Sequence, residues 1–530
     1  MMAEETFDYI VVGSGSAGGV LAARLTEDPT VRVLLLEAGP EDDDDMIRIP
    51  AGFSSLFKTR WDWNYWTTPQ EHLAGRRADW PRMKALGGCS SMNAMIYIRG
   101  NRADYDGWRD DFGAEGWGYE DVLPYFVRSE SNARLSGPFH GTSGPLRVED
   151  RRFTHELSEA FVESAARAGL ARTEDFNGLT QDGAGQYQVT HHRGRRWSVA
   201  DAYIRPARPR RNLTIRTEAF VTRILINGAG PRATGVEYER LGVTERVRAE
   251  AEVLLCGGAI NSPQVLMLSG IGPGDHLREH DIEVIVDSPG VGEGLQDHPV
   301  AGTLIETQDT SDLAEAQTLG NLARWQTTRR GPLVSNVGEA GAFFASHEGL
   351  EHPDIQIHLA PTGFYHNGIH EPVRRMVTVA PTLVDIHSRG RLRLRSADPH
   401  WHPEIDPGYF TDRRDLDAMV GGFRRVFDIV WQGPFARYLR APVEPSTTAP
   451  SDDDLIEVIA RLGQTLYHPT STCAMGSGGD SVVDPRLRVN GVEGLRVVDA
   501  SVMPRVVRGN THAPTVMIAE KAADLIRSGT

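Results

Sequence analysis

Gly13-Ser14-Gly15-Ser16-Ala17-Gly18 stands directly between an apolar run at residues 7–12 and a stretch at 17–25 whose apolar side chains recur at helical spacing. A second apolar run at 31–36 completes a βαβ unit. G-x-G-x-x-G at a strand-to-helix turn predicts a parallel sheet with a dinucleotide pyrophosphate at the helix N-terminus. Gly13 makes the tight turn, Gly15 lets the backbone approach the pyrophosphate, and Gly18 lets helix and strand pack closely, with Ser16 and Ala17 at the helix mouth. Glu37 closes the second strand about 20 residues on, followed by Ala38. A carboxylate there accepts hydrogen bonds from the adenosine ribose and repels a 2′-phosphate.

The motif does not by itself separate NAD from FAD. It lies near the start of a 530-residue chain, ahead of a remainder too long and discontinuous for a simple nicotinamide dehydrogenase, and this favours FAD. So long a chain supports two associated domains. Short strand patterns at 213–216, 221–226, 233–238 and 252–256 extend the first domain. Strands at 354–359 and 377–386 in a larger sheet, an edge at 391–394 and an amphipathic helix at 415–431 form a second.

Composition excludes several classes. A formal net charge of −16 disfavours nucleic acid, which needs a basic surface. Cys89, Cys256 and Cys473 are too few and too scattered for a disulfide framework or a metal site, so no metal is expected and a reducing cytoplasm fits. The acidic N-terminus has no signal-peptide pattern, and no run approaches the ~18 apolar residues that span a bilayer. Peripheral attachment to the inner face of a membrane stays open. The acidic run at 41–45 is read as solvated surface, and Asn212-Leu213-Thr214 as a sequon without consequence in the cytoplasm.

Three further stretches resemble the glucose-methanol-choline (GMC) oxidoreductases. Met83-Lys84-Ala85-Leu86-Gly87-Gly88-Cys89-Ser90-Ser91-Met92-Asn93 is similar to the family's first signature, and residues 258–272, Gly258-Ala259-Ile260-Asn261-Ser262-Pro263 onward, to its second. Val498-Asp499-Ala500-Ser501 and Gly509-Asn510-Thr511-His512-Ala513-Pro514-Thr515 are similar to its C-terminal stretch. With the N-terminal motif they extend over nearly the whole chain, and the closest overall likeness is to bacterial choline dehydrogenase-like alcohol dehydrogenases and oxidases. The resemblance implies an α/β fold: a Rossmann-like FAD-binding domain (1–150, 197–305 and 465–530) and a discontinuous α+β substrate-binding domain on an antiparallel sheet (151–196 and 306–464). It puts Leu86, Gly87, Gly88, Ser91, Asn93, Ala94 and Met95 along the flavin. Val221, Asp499, Ala500, Asn510, Thr511, Pro514 and Thr515 are implied as further FAD contacts.

The implied activity is oxidation of a small alcohol to an aldehyde or ketone. His468 corresponds to the family histidine beside flavin N5 and takes the hydroxyl proton; Asn510 holds the oxygen. Tyr467 and Glu339 join them as substrate contacts, Glu339 at an acidic position resembling the one that choline enzymes use for a quaternary ammonium. His512 is left as structural, because alternation in an extended segment points it away from Asn510. Some relatives attach FAD through a histidine where this chain has Met92, and a thioether cannot form that bond, so FAD is expected to be non-covalent. Ala94 replaces a serine found near the substrate in choline-oxidising relatives. Trp61, Trp63, Tyr65 and Trp66 are candidates for an entrance wall, with core packing the commoner role. Oxygen and a quinone or other carrier both stay open as electron acceptor, and a homodimer is one admissible assembly. The alternatives on this fold are an FAD-containing hydroxynitrile lyase and a fatty-acid photodecarboxylase.

Overall fold

The computed structural model describes residues 5–227, 230–369, 372 and 374–529. Its first sheet is built outward from Thr6–Val12, which pairs in parallel with Val33–Leu36 on one side and Val243–Leu255 on the other. Leu213–Arg216 extends it beyond Val33–Leu36, and Leu495–Val497 joins Val243–Leu255, both in parallel. All four residues of Val33–Leu36 are buried, as expected for a parallel strand covered on both faces. Arg232–Arg240 and Ala219–Asn227 add an antiparallel flap. The strand expected at 252–256 is longer, running Val243–Leu255, because its outer half alternates polar and exposed and gives no apolar run.

The second sheet is antiparallel, in the order Leu439–Glu444, Thr303–Thr307, Met376–Leu383, Ile355–Ala360, Ala340–Phe344, Gly183–Gln186. Three of its strands are buried at every residue. Helices Glu156–Arg167 and Arg413–Val430 pack against them. The amphipathic pattern at 415–431 belongs to the second of these, which Asp412 caps through Arg414 N. Pro299–Val300 also pairs in this sheet, antiparallel to Met376–Leu383 and to Gln464–Thr465. The strand at Gly390–Arg393 is not an edge of the large sheet. It pairs with Glu293–Leu295 and Glu404–Asp406 in a small separate one, a partnership between distant segments that no local pattern encodes.

Val12, Gly13 and Glu37, at the carboxyl ends of two first-sheet strands, and residues of three second-sheet strands line one continuous cavity. Ligands of open parallel sheets bind at that end. No helix among the described residues is long and apolar enough to cross a membrane.

Candidate active site

The three motif glycines do three different things. Gly13 has φ +97°, and a Cβ there would lie 2.5 Å from Cys256 O; a Cβ on Gly18 would lie 1.9 Å from Gly13 O. Both are demanded by packing. Gly15 is different: its Cβ would stand free, 3.9 Å from Gly88 Cα, and would project where the cavity passes. Gly88 crosses directly behind it, its own Cβ position 2.7 Å from Gly15 Cα. Two bare loops therefore cross where a side chain would fill the cradle.

Ser14, overlooked in the sequence, locks these loops. Its N and Oγ donate to Glu37 Oε2 at 3.0 and 2.5 Å, and its Oγ accepts from Gly87 N at 3.1 Å. Gly39 N donates to Glu37 Oε1 at 2.9 Å. Burial nevertheless raises the Glu37 pKa. Asp499 binds the signature stretches together, accepting from Gly258 N (2.9 Å), Ser262 Oγ (2.6 Å) and Ser501 N (2.8 Å). Asn93 Oδ1 accepts from Met95 N, at 3.1 Å, and from Arg196 Nη1, at 2.9 Å. Arg196 is fully buried, and desolvation lowers its pKa to about 9. The sequence offered no signal for it.

Gly13, Gly15, Ser16, Ala17, Glu37, Ala38 and Gly88 line the cavity, as do Met92, Asn93, Ala94, Met95, Val221, Asp499, Ala500, Thr511 and Thr515. Gly18, Leu86, Gly87, Ser91 and Pro514 do not; they shape the loops from behind, as when Ser91 Oγ donates to Leu86 O at 2.9 Å. His512 departs from expectation. It is the first residue of the helix His512–Arg527, not part of an extended segment, and it lines the cavity with its Nδ1 2.9 Å from Ser16 Oγ. Its Nε2 is buried without a partner, and burial lowers its pKa to about 4. Of the four aromatic residues at 61–66, Trp63 alone lines the cavity, stacked on Tyr65.

At the other end His468 and Asn510 meet. Asn510 Nδ2 lies 3.3 Å from His468 Nε2, and a chain of bonds fixes which way the amide points. Tyr187 OH donates to Ile357 O (2.7 Å) and accepts from Gln356 Nε2 (3.2 Å); Gln356 Nε2 also donates to Asn510 Oδ1 (3.2 Å). The Asn510 NH₂ therefore faces His468, whose Nε2 accepts, leaving the ring proton on Nδ1 for His298 Nδ1 at 2.9 Å. Asp297 steadies the backbone, with Oδ1 accepting from His468 N at 2.7 Å and Oδ2 from Tyr409 OH. Burial, then the neighbouring His298, His358 and Arg82, push the His468 pKa well below 6.5 and keep the imidazole neutral. Sequence reasoning missed Tyr187, His298, Asp297 and Gln356, all brought in by the second sheet or the loops beside it. Tyr467 lines the cavity with φ +69°.

Glu339, expected among the substrate contacts, stands apart from the cavity. It is fully buried off the cavity: Oε2 accepts from His155 N and Ser158 Oγ, both at 2.7 Å, and Oε1 from Ser335 Oγ at 2.6 Å. Those three bonds consume a carboxylate that the sequence left free for a cation. Among the described residues no cluster of three or more His, Cys, Asp or Glu could hold a metal ion.

The cavity, open at one side, runs from the crossed glycine loops to His468 and Asn510. Those loops accept a pyrophosphate that a Cβ would exclude, so these residues fit FAD. A parallel-sheet dinucleotide cradle sharing one cavity with a neutral histidine defines a flavoprotein oxidoreductase. The chain belongs to the GMC oxidoreductase family: the N-terminal and C-terminal family profiles match residues 7–300 and 387–519. It is 47% identical, over 98% of its length and 99% of the relative's, to an uncharacterised GMC-type oxidoreductase of Mycobacterium tuberculosis. It is 41% identical to an alcohol dehydrogenase [acceptor] of Pseudomonas putida, over 98% of this chain and 95% of that one. The crystal structure of pyridoxine 4-oxidase from Mesorbium loti superposes with a TM-score of 0.90 at 32% identity, covering 98% of this chain and 99% of that one.

Proposed function

We propose that the protein oxidises an alcohol to an aldehyde or ketone. The observation that carries this reading is the neutral His468, its Nε2 lone pair presented to the cavity beside the Asn510 amide. An alcohol hydroxyl entering between them donates to Nε2 and accepts from the amide NH₂. His468 takes the hydroxyl proton as the carbon loses hydride, a step for which a neutral imidazole suits and a charged one does not. FAD, when bound, supplies the hydride acceptor. His298 holds the proton-bearing Nδ1 of His468, and Gln356 with Tyr187 holds the amide, so both groups are oriented before substrate arrives.

FAD is held without a covalent bond, since the cavity wall carries Met92; acid precipitation releases the yellow colour into the supernatant, and colour kept in the pellet would overturn this. The reaction itself is tested by mixing the holoenzyme anaerobically with alcohols and following flavin bleaching. Bleaching with concomitant carbonyl product is expected. Turnover without bleaching, or only under light, would place the chain among lyases or photodecarboxylases instead.

A further inference from the structure

Beyond the reacting centre, the cavity wall is built from the second sheet. Side chains alternate across a strand, and the register puts Leu304, Thr378 and Ala360 in one row and His358 with Ala380 in the next, all lining the cavity. Gly302 adjoins both rows; a Cβ there would lie 2.8 Å from Thr378 Cγ2 and 3.9 Å from Ala380 Cβ, so packing demands its bareness. Ala360 and Ala380 are small, so the floor between the strands is hollow. Opposite stands an aromatic arc of Phe53, Phe57, Phe364 and Tyr467, with ring centroids 5.6–6.0 Å apart in successive pairs.

Several polar groups on these walls are already spent. Thr378 Oγ1 donates to Thr362 O (2.8 Å) and accepts from Phe364 N (2.7 Å); Tyr467 OH donates to Asn367 Oδ1 (2.8 Å); Gln464 Oε1 accepts from Asn367 N (3.0 Å). Those open to a hydroxyl gather at the reacting centre: His468 Nε2 and the Asn510 NH₂, which meet only each other across 3.3 Å, and His358 Nε2, which has no partner. Charge is equally one-sided. Among the described residues the only carboxylates lining the cavity are Glu37 and Asp499, both hydrogen-bonded into the dinucleotide cradle. The only lysine or arginine there is Arg82, whose Nε and Nη2 have no hydrogen-bond partner.

We propose that the substrate is an uncharged alcohol with an apolar chain or ring, and not a quaternary ammonium alcohol, a polyol or a hydroxy acid. This rests on the alcohol-oxidation reading above. One hydroxyl satisfies the polar cluster at the centre; every further hydroxyl would be buried against carbon, with no partner to replace water. Aromatic faces accept a cation as readily as an apolar group, but here no carboxylate accompanies them and the spare guanidinium repels a cation. Hydrocarbon fills the hollow floor instead.

The test uses the holoenzyme, oxygen-free, with straight-chain primary alcohols from ethanol to octanol, benzyl alcohol, choline, glycerol and glycolate, and measures the second-order rate of flavin bleaching. The rate is expected to rise about fourfold per added methylene until the hollow is full. Choline, glycerol and glycolate should fall roughly 100-fold or more below butanol. Ala360→Leu, which fills the floor, should slow octanol at least tenfold more than ethanol. If choline or glycerol bleaches faster than butanol, oxidation stands and the substrate class is wrong. A faster reaction with glycolate would assign Arg82 to a carboxylate and likewise overturn it. Bleaching by none of them removes the alcohol-oxidation reading and this inference with it. If Ala360→Leu does not fold, the wild-type series alone decides.

Discussion

On the proposed reading, His468 and Asn510 divide one task between a group that can take a proton and one that cannot. His468→Ala should slow flavin reduction by roughly 10²–10⁴-fold, the usual consequence of losing a positioned base. Burial holds the His468 pKa well below 6.5, so the wild-type rate should stay flat on acidification past the ordinary histidine range and fall only below it. His468→Ala should lose that acid-side fall and Asn510→Ala should keep it, in stopped-flow reduction across pH. The opposite pattern would exchange the two roles. Gly15 gives a second test, because its side-chain position is free of the protein yet faces the cavity. Gly15→Val should fold with an unchanged far-UV spectrum and purify colourless; a yellow, fully loaded variant would mean that the pyrophosphate lies elsewhere.

The helix His512–Arg527 shows how one element ties the cradle to the rest of the first domain. Glu520, fully buried, sits between Arg24 Nη2 and Arg128 Nη2, each at 2.9 Å, and accepts from Tyr203 OH at 2.7 Å. Arg24 belongs to the motif helix Gly18–Leu25 and Arg128 to Tyr119–Ser129, so one carboxylate joins three helices. Glu520→Ala leaves two guanidinium groups facing each other. Stranding a buried charge costs about 3–5 kcal/mol, but both guanidiniums reach water, and about 2 kcal/mol is expected. Thermal melting of the apoprotein measures it, with Glu520→Gln the milder change. Thr511, at the start of the same helix, lines the cavity, so Glu520→Ala should also release FAD faster. Unchanged melting and retention would show that the helix is held by its apolar face alone.

Among the described residues, burial favours the neutral state of His191, His298, His358 and His468 and of the half-buried His512. Desolvation lowers His298 and His358 to about 3 and His512 to about 4. Unfolded, each takes a proton near pH 6.5. Their contribution to stability is therefore complete above about 6.5 and is lost as the pH falls from there toward the folded values, at up to about 1.4 kcal/mol per pH unit for each. Glu37, Asp297 and Asp499 are raised by burial and act in the opposite sense, their contribution fading as the pH rises. His191 isolates the histidine effect: it lies off the cavity and neither ring nitrogen has a partner. The unfolding free energy of His191→Met, from urea melts, should fall less steeply than wild type on acidification from about pH 6 to 5, by up to about 1.4 kcal/mol per unit. Parallel profiles would mean that His191 is already protonated when folded.

The dinucleotide cradle was legible because its signals are local. A strand, a glycine turn, a helix and a carboxylate lie within about 30 residues, and each glycine answers to a backbone constraint that no other residue meets. His468 and Asn510 were legible through the signatures around them, which place them in one site although 42 positions separate them in the chain. What surrounds them was not. Glu339 looked like a free anion because its three hydrogen-bond partners come from residues 155, 158 and 335, and only the docking of the helix Glu156–Arg167 on the second sheet reveals that its oxygens are taken. His512 looked peripheral because an alternating pattern was assumed where a helix begins. Gln356, Tyr187 and His298 orient the reacting pair through contacts 154 to 170 residues apart. Sequence determined the backbone-limited parts of this protein, the turns and cradles that glycine permits; tertiary structure decided which buried polar groups are spent and which are left free to react, because a hydrogen bond between distant segments leaves no trace in either segment alone.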